Sequence, residues 1–141
     1  MNAPLYSIDV LRLAASLPDP EPLDGFDGSA EERSQACGST ISTWVRIDPQ
    51  GRVAALSQQV QACAFGQAAA ALVARHATGR SREQTEEAMG ELEAWLAGAR
   101  PERPDWPDFE ALAPVRSRGS RHSAVLLPFK ALLSAIKAAE A

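Results

Sequence analysis

The sequence is poor in the residues from which most catalytic and metal centres are built. Its 141 residues include two cysteines, two histidines and one tyrosine. No Ser-His-Asp arrangement, phosphate-binding glycine loop, HExxH motif or paired-carboxylate motif is visible in it. An ordinary hydrolase or kinase is therefore not expected, because each depends on one of these arrangements.

Long apolar runs and an excess of positive charge are missing as well. No run approaches the roughly 20 apolar residues of a membrane-spanning helix, and the N-terminus lacks the basic start and apolar stretch of a signal peptide. The formal net charge of −4 and the pI of about 5.2 argue against nucleic acid as a partner. We therefore expect a cytoplasmic protein with no nucleic-acid or membrane partner. In that reducing compartment, cysteines are more often free thiols or metal ligands than a disulfide.

What is present suits one folded domain spanning residues 1–141. With 45% hydrophobic residues, the chain can bury a core without a disulfide or a metal. The apolar pattern predicts helices at 6–17, 63–78, from 81 onward and at 122–141, a hairpin of strands at 39–47 and 52–61, and surface loops at 18–35 and 116–121. This order predicts an α+β domain with a small antiparallel sheet covered on one face.

The two cysteines flank the predicted hairpin. A period of two in the strand at 39–47 is followed by Asp48-Pro49-Gln50-Gly51, a type I turn signal. Neighbouring antiparallel strands lie about 5 Å apart. Cys37, before the first strand, and Cys63, after the second, are therefore expected to converge at one end of the sheet.

Cys63 is the sharper candidate for chemistry because it stands where a helix is predicted to begin. The partial positive charge of a helix N-terminus favours a thiolate, which is both the nucleophile and the metal ligand. We therefore expect Cys63 to be the more reactive thiol of the two. The plainer alternative is a buried small residue at Cys63, in an alanine-rich packing surface, and an inert turn cysteine at Cys37 beside Gly38.

The two histidines differ in what they could reach. His76 lies 13 positions after Cys63 on the same predicted helix, roughly 20 Å away, so it is read as a plain helix histidine. His122 begins the last helix, after a basic loop rich in serine and glycine that could bring it back to the cysteines. The alternative is that His122 faces solvent at the helix start.

Five segments of the chain stand out together: residues 5–11, Cys37-Gly38-Ser39, 62–69, 78–84 and 121–132, the last reading RHSAVLLPFKAL. In this order along the chain, they resemble the IscU/NifU-type (SufU-like) iron–sulfur cluster assembly scaffold family. The resemblance implies a three-stranded antiparallel sheet with helices packed on one face, a SufE/IscU-like fold. It implies a scaffold or sulfur carrier rather than an enzyme with turnover. As partners it implies a cysteine desulfurase and an apo-protein recipient or chaperone, with the chain a monomer or weak dimer.

The chain diverges from that family at the expected site. Family scaffolds use three cysteines, an aspartate after the first Cys-Gly, and often a histidine beside the third cysteine. Cys37 and Cys63 match the first two cysteines, Ser39 stands at the aspartate position, and Ala124 stands where the third cysteine belongs. An iron–sulfur cluster ordinarily takes four thiolates, and zinc takes four ligands or three plus water. The resemblance thus leaves Cys37, Cys63 and His122 as ligands for zinc, iron or a transient iron–sulfur cluster.

Three interpretations of function stay open. The chain is scaffold-like and transiently holds sulfur or iron between Cys37 and Cys63. Alternatively, it is a SufE-like sulfur acceptor that uses Cys63 without a metal. In the third interpretation it is a partner-binding remnant of the family with no cysteine chemistry. Metal content and persulfide uptake distinguish these interpretations.

Overall fold

The computed structural model of the protein describes residues 7–21, 23–35 and 38–141. The elements are α1 Ile8–Ala15, β1 Gly28–Arg33, β2 Thr40–Ile47, β3 Val53–Gln61, α2 Ala64–His76, α3 Arg82–Leu96, the 3₁₀ helices Phe109–Ser117 and Gly119–Arg121, and α4 His122–Glu140. Cys37 and Tyr6, on which two of the sequence predictions fall, lie outside the described residues. Within them, every helix is too short or too polar to cross a membrane.

The predicted hairpin is confirmed by the pairing of β2 with β3. The strands are antiparallel, with Thr40 opposite Gln61 at one end and a turn at the other. In that turn the Gly51 N–H donates to the Asp48 carbonyl at 3.0 Å, as the Asp-Pro-Gln-Gly sequence predicts. Ile41 and Val45 are fully buried on the inward face, so the alternation predicted for this strand is also correct.

The prediction of a surface loop over 18–35 is wrong from residue 28 onward. Residues Gly28–Arg33 form β1, an edge strand antiparallel to β2. Its inward positions are Gly28, Ala30 and Glu32, which are small or polar and therefore carry no apolar alternation. A Cβ on Gly28 would lie 2.5 Å from the Ala139 backbone nitrogen, so the glycine allows α4 to lie directly on the strand.

The helices pack on one face of the sheet, as expected. α2 contributes a fully or almost fully buried run of alanines, and α4 contributes a buried stripe that includes Val125, Phe129, Leu132 and Ile136. Trp106, in the proline-rich connection before α4, packs edge-to-face on Phe129 with ring centroids 5.1 Å apart. Its indole N–H donates to the Leu72 carbonyl of α2 at 2.9 Å. This indole joins the connection to both central helices.

The helix starts follow their sequence signals more closely than the end of α2 does. Ser7 caps α1, and Ser81 with Gln84 forms a capping box at the start of α3, where a helix is predicted from residue 81. Helix α2 ends at His76, two residues before the predicted end at 78, and Ala77 is its C-cap. Gly79 adopts a positive φ of 90°. Its N–H donates to the Val53 carbonyl at 2.8 Å, so it ties the connection after α2 to β3.

Candidate functional site

Cys63 lies at the end of the sheet where β3 passes into α2. It is the N-cap residue of α2, with extended backbone angles (φ −66°, ψ 173°) and no side-chain capping bond. Its side chain is half-buried. The first turn of α2 contains no acidic residue, so no carboxylate there opposes the positive end of the helix. A helix N-terminus carries a partial positive charge, and Cys63 stands at one.

The turn between β1 and β2 lies at the same end of the sheet. The Ser34 N–H donates to the Ser39 carbonyl at 2.9 Å, and the Gly38 N–H donates to the Ser34 carbonyl at 2.9 Å. Gly38 has φ 70°, a left-handed conformation that glycine adopts without strain. Cys37 falls between Gln35 and Gly38 in sequence but lies outside the described residues. The predicted convergence of the two thiols therefore stays a prediction.

The start of α4 is the third segment at this end. The Ser34 hydroxyl, in the turn, donates to the Ser123 hydroxyl at 3.1 Å. On the other side, a Cβ on Gly66 would lie 3.6 Å from the Ala124 Cβ and 3.4 Å from its carbonyl oxygen. Gly66 is three residues after Cys63, one turn into α2. The start of α4 is thus in contact with both the 34–39 turn and the first turn of the Cys63 helix.

His122 is the first residue of α4, and its ring is held by the backbone that precedes it. Nε2 lies 3.0 Å from the Val115 carbonyl and 3.1 Å from the Arg116 carbonyl. Because carbonyl oxygens only accept hydrogen bonds, Nε2 carries a proton and donates. Nδ1 is then the nitrogen through which His122 could bind a metal. Whether it does so stays a prediction.

The segment 116–121, predicted as a surface loop, is largely exposed but helical. Its residues continue one 3₁₀ helix and form a second before α4 begins. The Arg116 Nε donates to the Trp95 carbonyl at 3.0 Å, and its guanidinium lies 5.1 Å from the centre of the Trp95 ring. Stacking on an indole and bonding to a carbonyl hold this arginine against α3. His122 is therefore positioned by folded backbone and not by a mobile loop.

The structure separates His76 from this end of the sheet. His76 is the last residue of α2, whereas Cys63 caps its first turn. Its Nε2 lies 2.9 Å from the Asp108 carboxylate. This placement agrees with the reading of His76 as an ordinary helix histidine with a structural partner.

In the described part of the chain, no three His, Cys, Asp or Glu side chains are grouped as metal ligands. Ser39, at the family's aspartate position, is buried. Ala124, aligned with the family's third cysteine, is fully buried in the contact between α4 and α2. Its neighbour Ser123 instead directs its hydroxyl to the turn that precedes β2. Sequence reasoning did not anticipate the contacts of Ser34 with Ser123 and of Gly66 with Ala124, because only the tertiary packing brings these residues together.

Known structures share this fold. No protein-family model matches the chain, and no curated protein matches its sequence. The crystal structure of a nitrogen-fixing NifU-like protein (N-terminal) from Brucella abortus matches with a TM-score of 0.88 and 28% identity, over 96% of this chain and 94% of that one. A second crystal structure, from Fervidobacterium islandicum AW-1, is provisionally identified as an iron–sulfur cluster assembly scaffold protein for the SUF system. It matches with a TM-score of 0.75 and 19% identity, over 94% of this chain and 96% of that one.

These similarities confirm two predictions from the sequence. The three-stranded antiparallel sheet with helices on one face is the fold of the NifU-like structure. The resemblance to the IscU/NifU-type scaffold family is confirmed as well. The similarity at 19% identity adds support for the fold alone.

Proposed function

We propose that this chain is an iron–sulfur assembly protein that receives sulfur on Cys63 and holds sulfur or iron transiently together with Cys37. The observation that carries this proposal is the placement of Cys63 at the start of α2, beside the start of α4. The NifU-like structure, at 28% identity, supports the same general role, and the SUF-system structure supports the fold. The sulfur donor is a cysteine desulfurase, and the recipient is an apo-protein or a chaperone, in the cytoplasm.

The transfer step needs one thiolate. The Cys63 thiolate attacks the terminal sulfur of a persulfide on the desulfurase cysteine. A new S–S bond forms to Cys63, the old S–S bond breaks, and the desulfurase cysteine leaves as a thiolate. The step is an exchange between thiolate and persulfide, so it requires no added oxidant or reductant.

The donors of this chain fit sulfur carriage better than a complete cluster as cargo. A cluster ordinarily takes four thiolates, and Cys37 and Cys63 supply two per chain. Ser39 and Ala124 supply none. His122 could add its Nδ1, since Nε2 is occupied by backbone carbonyls. Holding iron or a cluster would therefore require a second copy of the chain or an external thiol.

These features favour a second candidate, the SufE-like acceptor that uses Cys63 alone. Ala124 occupies the third cysteine position in a fully buried contact, so the described residues retain the nucleophile but lack a set of metal ligands. The two candidates differ in what they require of Cys37. A transient holder of iron needs both cysteines, whereas an acceptor needs Cys63 only.

The test is sulfur transfer from a cysteine desulfurase, followed by mass spectrometry of the intact chain. We expect wild type to gain one sulfur atom, Cys63→Ser to gain none, and Cys37→Ser, the matched control, to gain it with a chelator present. Iron content measured anaerobically then separates the candidates, because only the holder loses iron in both variants. If neither cysteine gains sulfur and both alkylate at the rate of a free thiol, the remnant interpretation is correct and the proposal is wrong.

A further inference from the structure

An open groove lies on the outer face of the sheet, opposite the helices. Its volume is about 410 Å³, within the range of about 300–1,000 Å³ typical of ligand sites. The described lining combines apolar surface with carboxylates and contains no Lys, Arg or His. The apolar members are Pro20, Leu23, Phe26 and Trp44, and the acidic ones are Glu21 and Asp24.

The loop before β1 forms one wall of the groove, and hydrogen bonds at Glu21 and at Asp27 hold it on the sheet. Near its start, the Ser57 hydroxyl of β3 donates to the Glu21 carbonyl at 2.6 Å and accepts from the Glu21 N–H at 3.2 Å. At its end, the Asp27 backbone N–H donates to the Val45 carbonyl at 2.8 Å, and the Asp27 carboxylate accepts from the Ile47 N–H at 2.7 Å. The groove is therefore formed before any ligand arrives, which lowers the entropic cost of binding.

Aromatic and acidic groups face solvent in this groove. Phe26 is 49% exposed, although phenylalanine is usually buried. Trp44 is half-buried, and Glu21 and Asp24 are exposed. In the described part of the chain, neither of these carboxylates belongs to an ion pair. Arg46, two residues after Trp44 on the same face of β2, does not line the groove.

The geometry points to this groove as the docking site of an arginine side chain on a basic segment of a partner protein. A guanidinium stacks on aromatic rings and also bonds to carboxylates through its planar set of N–H groups. Trp44 with Phe26 and Glu21 with Asp24 supply these two kinds of contact side by side. The net charge of −4 favours the approach of a basic segment. This role is independent of sulfur chemistry at Cys63.

The test uses the intact chain and three N-acetylated, C-amidated peptides, Gly-Arg-Leu-Arg-Gly, Gly-Lys-Leu-Lys-Gly and Gly-Gln-Leu-Gln-Gly. Tryptophan fluorescence reports binding, because Trp95 and Trp106 are 4% and 0% exposed and Trp44 is the accessible indole. We expect the arginine peptide to bind about threefold more tightly than the lysine peptide, because a planar guanidinium can stack on an indole and bond a carboxylate through two N–H groups, whereas an ammonium is a point charge. The glutamine peptide is expected not to bind.

Single variants locate the contact. Glu21→Gln and Asp24→Asn should each weaken binding of the arginine peptide up to about fivefold, as expected for an exposed ion pair. Phe26→Ala should weaken it similarly. Glu31→Gln is the matched control, because Glu31 is an exposed carboxylate of β1 outside the groove. The proposal is overturned if the glutamine peptide binds as well as the arginine peptide, or if the groove variants change binding no more than Glu31→Gln does.

Discussion

Replacing Ser123 by cysteine should create a tighter zinc site than replacing Ala124. The Ser123 side chain is partly exposed and bonds to Ser34, in the turn that leads to Cys37. The Ala124 side chain is fully buried against Gly66. A thiol at 123 replaces a hydroxyl of similar size on the side of that turn, whereas a thiol at 124 must fit into packed helix surface.

The expected effects differ in size as well as in kind. Structural zinc contributes about 10–16 kcal/mol over four ligands, or about 3 kcal/mol each, so one added thiolate should tighten zinc binding by about a hundredfold. Ser123→Cys weakens one hydrogen bond and should cost about 0.5–1.5 kcal/mol of folding stability. Ala124→Cys adds an atom to a close-packed contact and should cost about 1–3 kcal/mol.

Zinc affinity against a competing chelator and thermal unfolding measure the two effects separately. Ser123→Cys combined with Cys63→Ser is the control, since the gain in affinity should vanish without the Cys63 thiolate. If Ala124→Cys gains affinity and Ser123→Cys does not, then Ala124 occupies the ligand position and the argument from burial is refuted. If neither variant gains affinity while both fold, His122 and the cysteines do not form a metal site.

Two further predictions concern the fold. Gly28→Ala should destabilise the protein by about 2–4 kcal/mol, because the added Cβ would meet the backbone of α4. Gly90→Ala, at an exposed position of α3 with open space around it, should stabilise the helix by about 1 kcal/mol. Urea unfolding measures both changes, and equal effects of the two variants would contradict this prediction. Hydrogen bonds from the Asp105 N–H and then from Arg100 hold the pKa of Glu91 below its ordinary value. The stability that ionised Glu91 contributes is therefore fully present above about pH 4.3 and is lost as the pH falls through its lower folded pKa. Glu91→Gln should lower the free energy of unfolding by about 1 kcal/mol at pH 7 and by little at pH 2. An equal loss at both pH values would contradict this role of Glu91.

The parts of the fold that sequence predicts are those set by local patterns. The hairpin followed from alternation between 39 and 47 and from a turn sequence, and both are properties of neighbouring residues. Strand β1 could not be found in this way. Its inward side chains are Gly28, Ala30 and Glu32, and its place is determined by α4, which approaches through Gly28 and bonds Ser134 to Glu32 at 2.7 Å.

The candidate site likewise has one part that the sequence predicts and another that it does not. The start of α2 at Cys63 was predictable because the apolar period of the helix begins there. The contacts of Ser34 with Ser123 and of Gly66 with Ala124 join residues far apart in sequence, and none of these four has a side chain that suggests a ligand. Arg116 was misread because an arginine in a loop gives no local sign that an indole will cover it.

The requirements of the two chemistries favour sulfur over metal at this site. Accepting sulfur needs a single cysteine, and Cys63 supplies one at the start of α2, where it is half-buried. A metal needs several donors at one point, yet Ser123 is bonded to Ser34 and His122 has one ring nitrogen engaged by carbonyls. A metal would have to compete with Ser34 for the Ser123 hydroxyl and could use only Nδ1 of His122, whereas sulfur transfer to Cys63 involves neither residue. Sulfur uptake should therefore proceed at metal concentrations too low to occupy the site. If uptake depends strictly on added iron or zinc, metal binding comes first and the preference for sulfur is wrong.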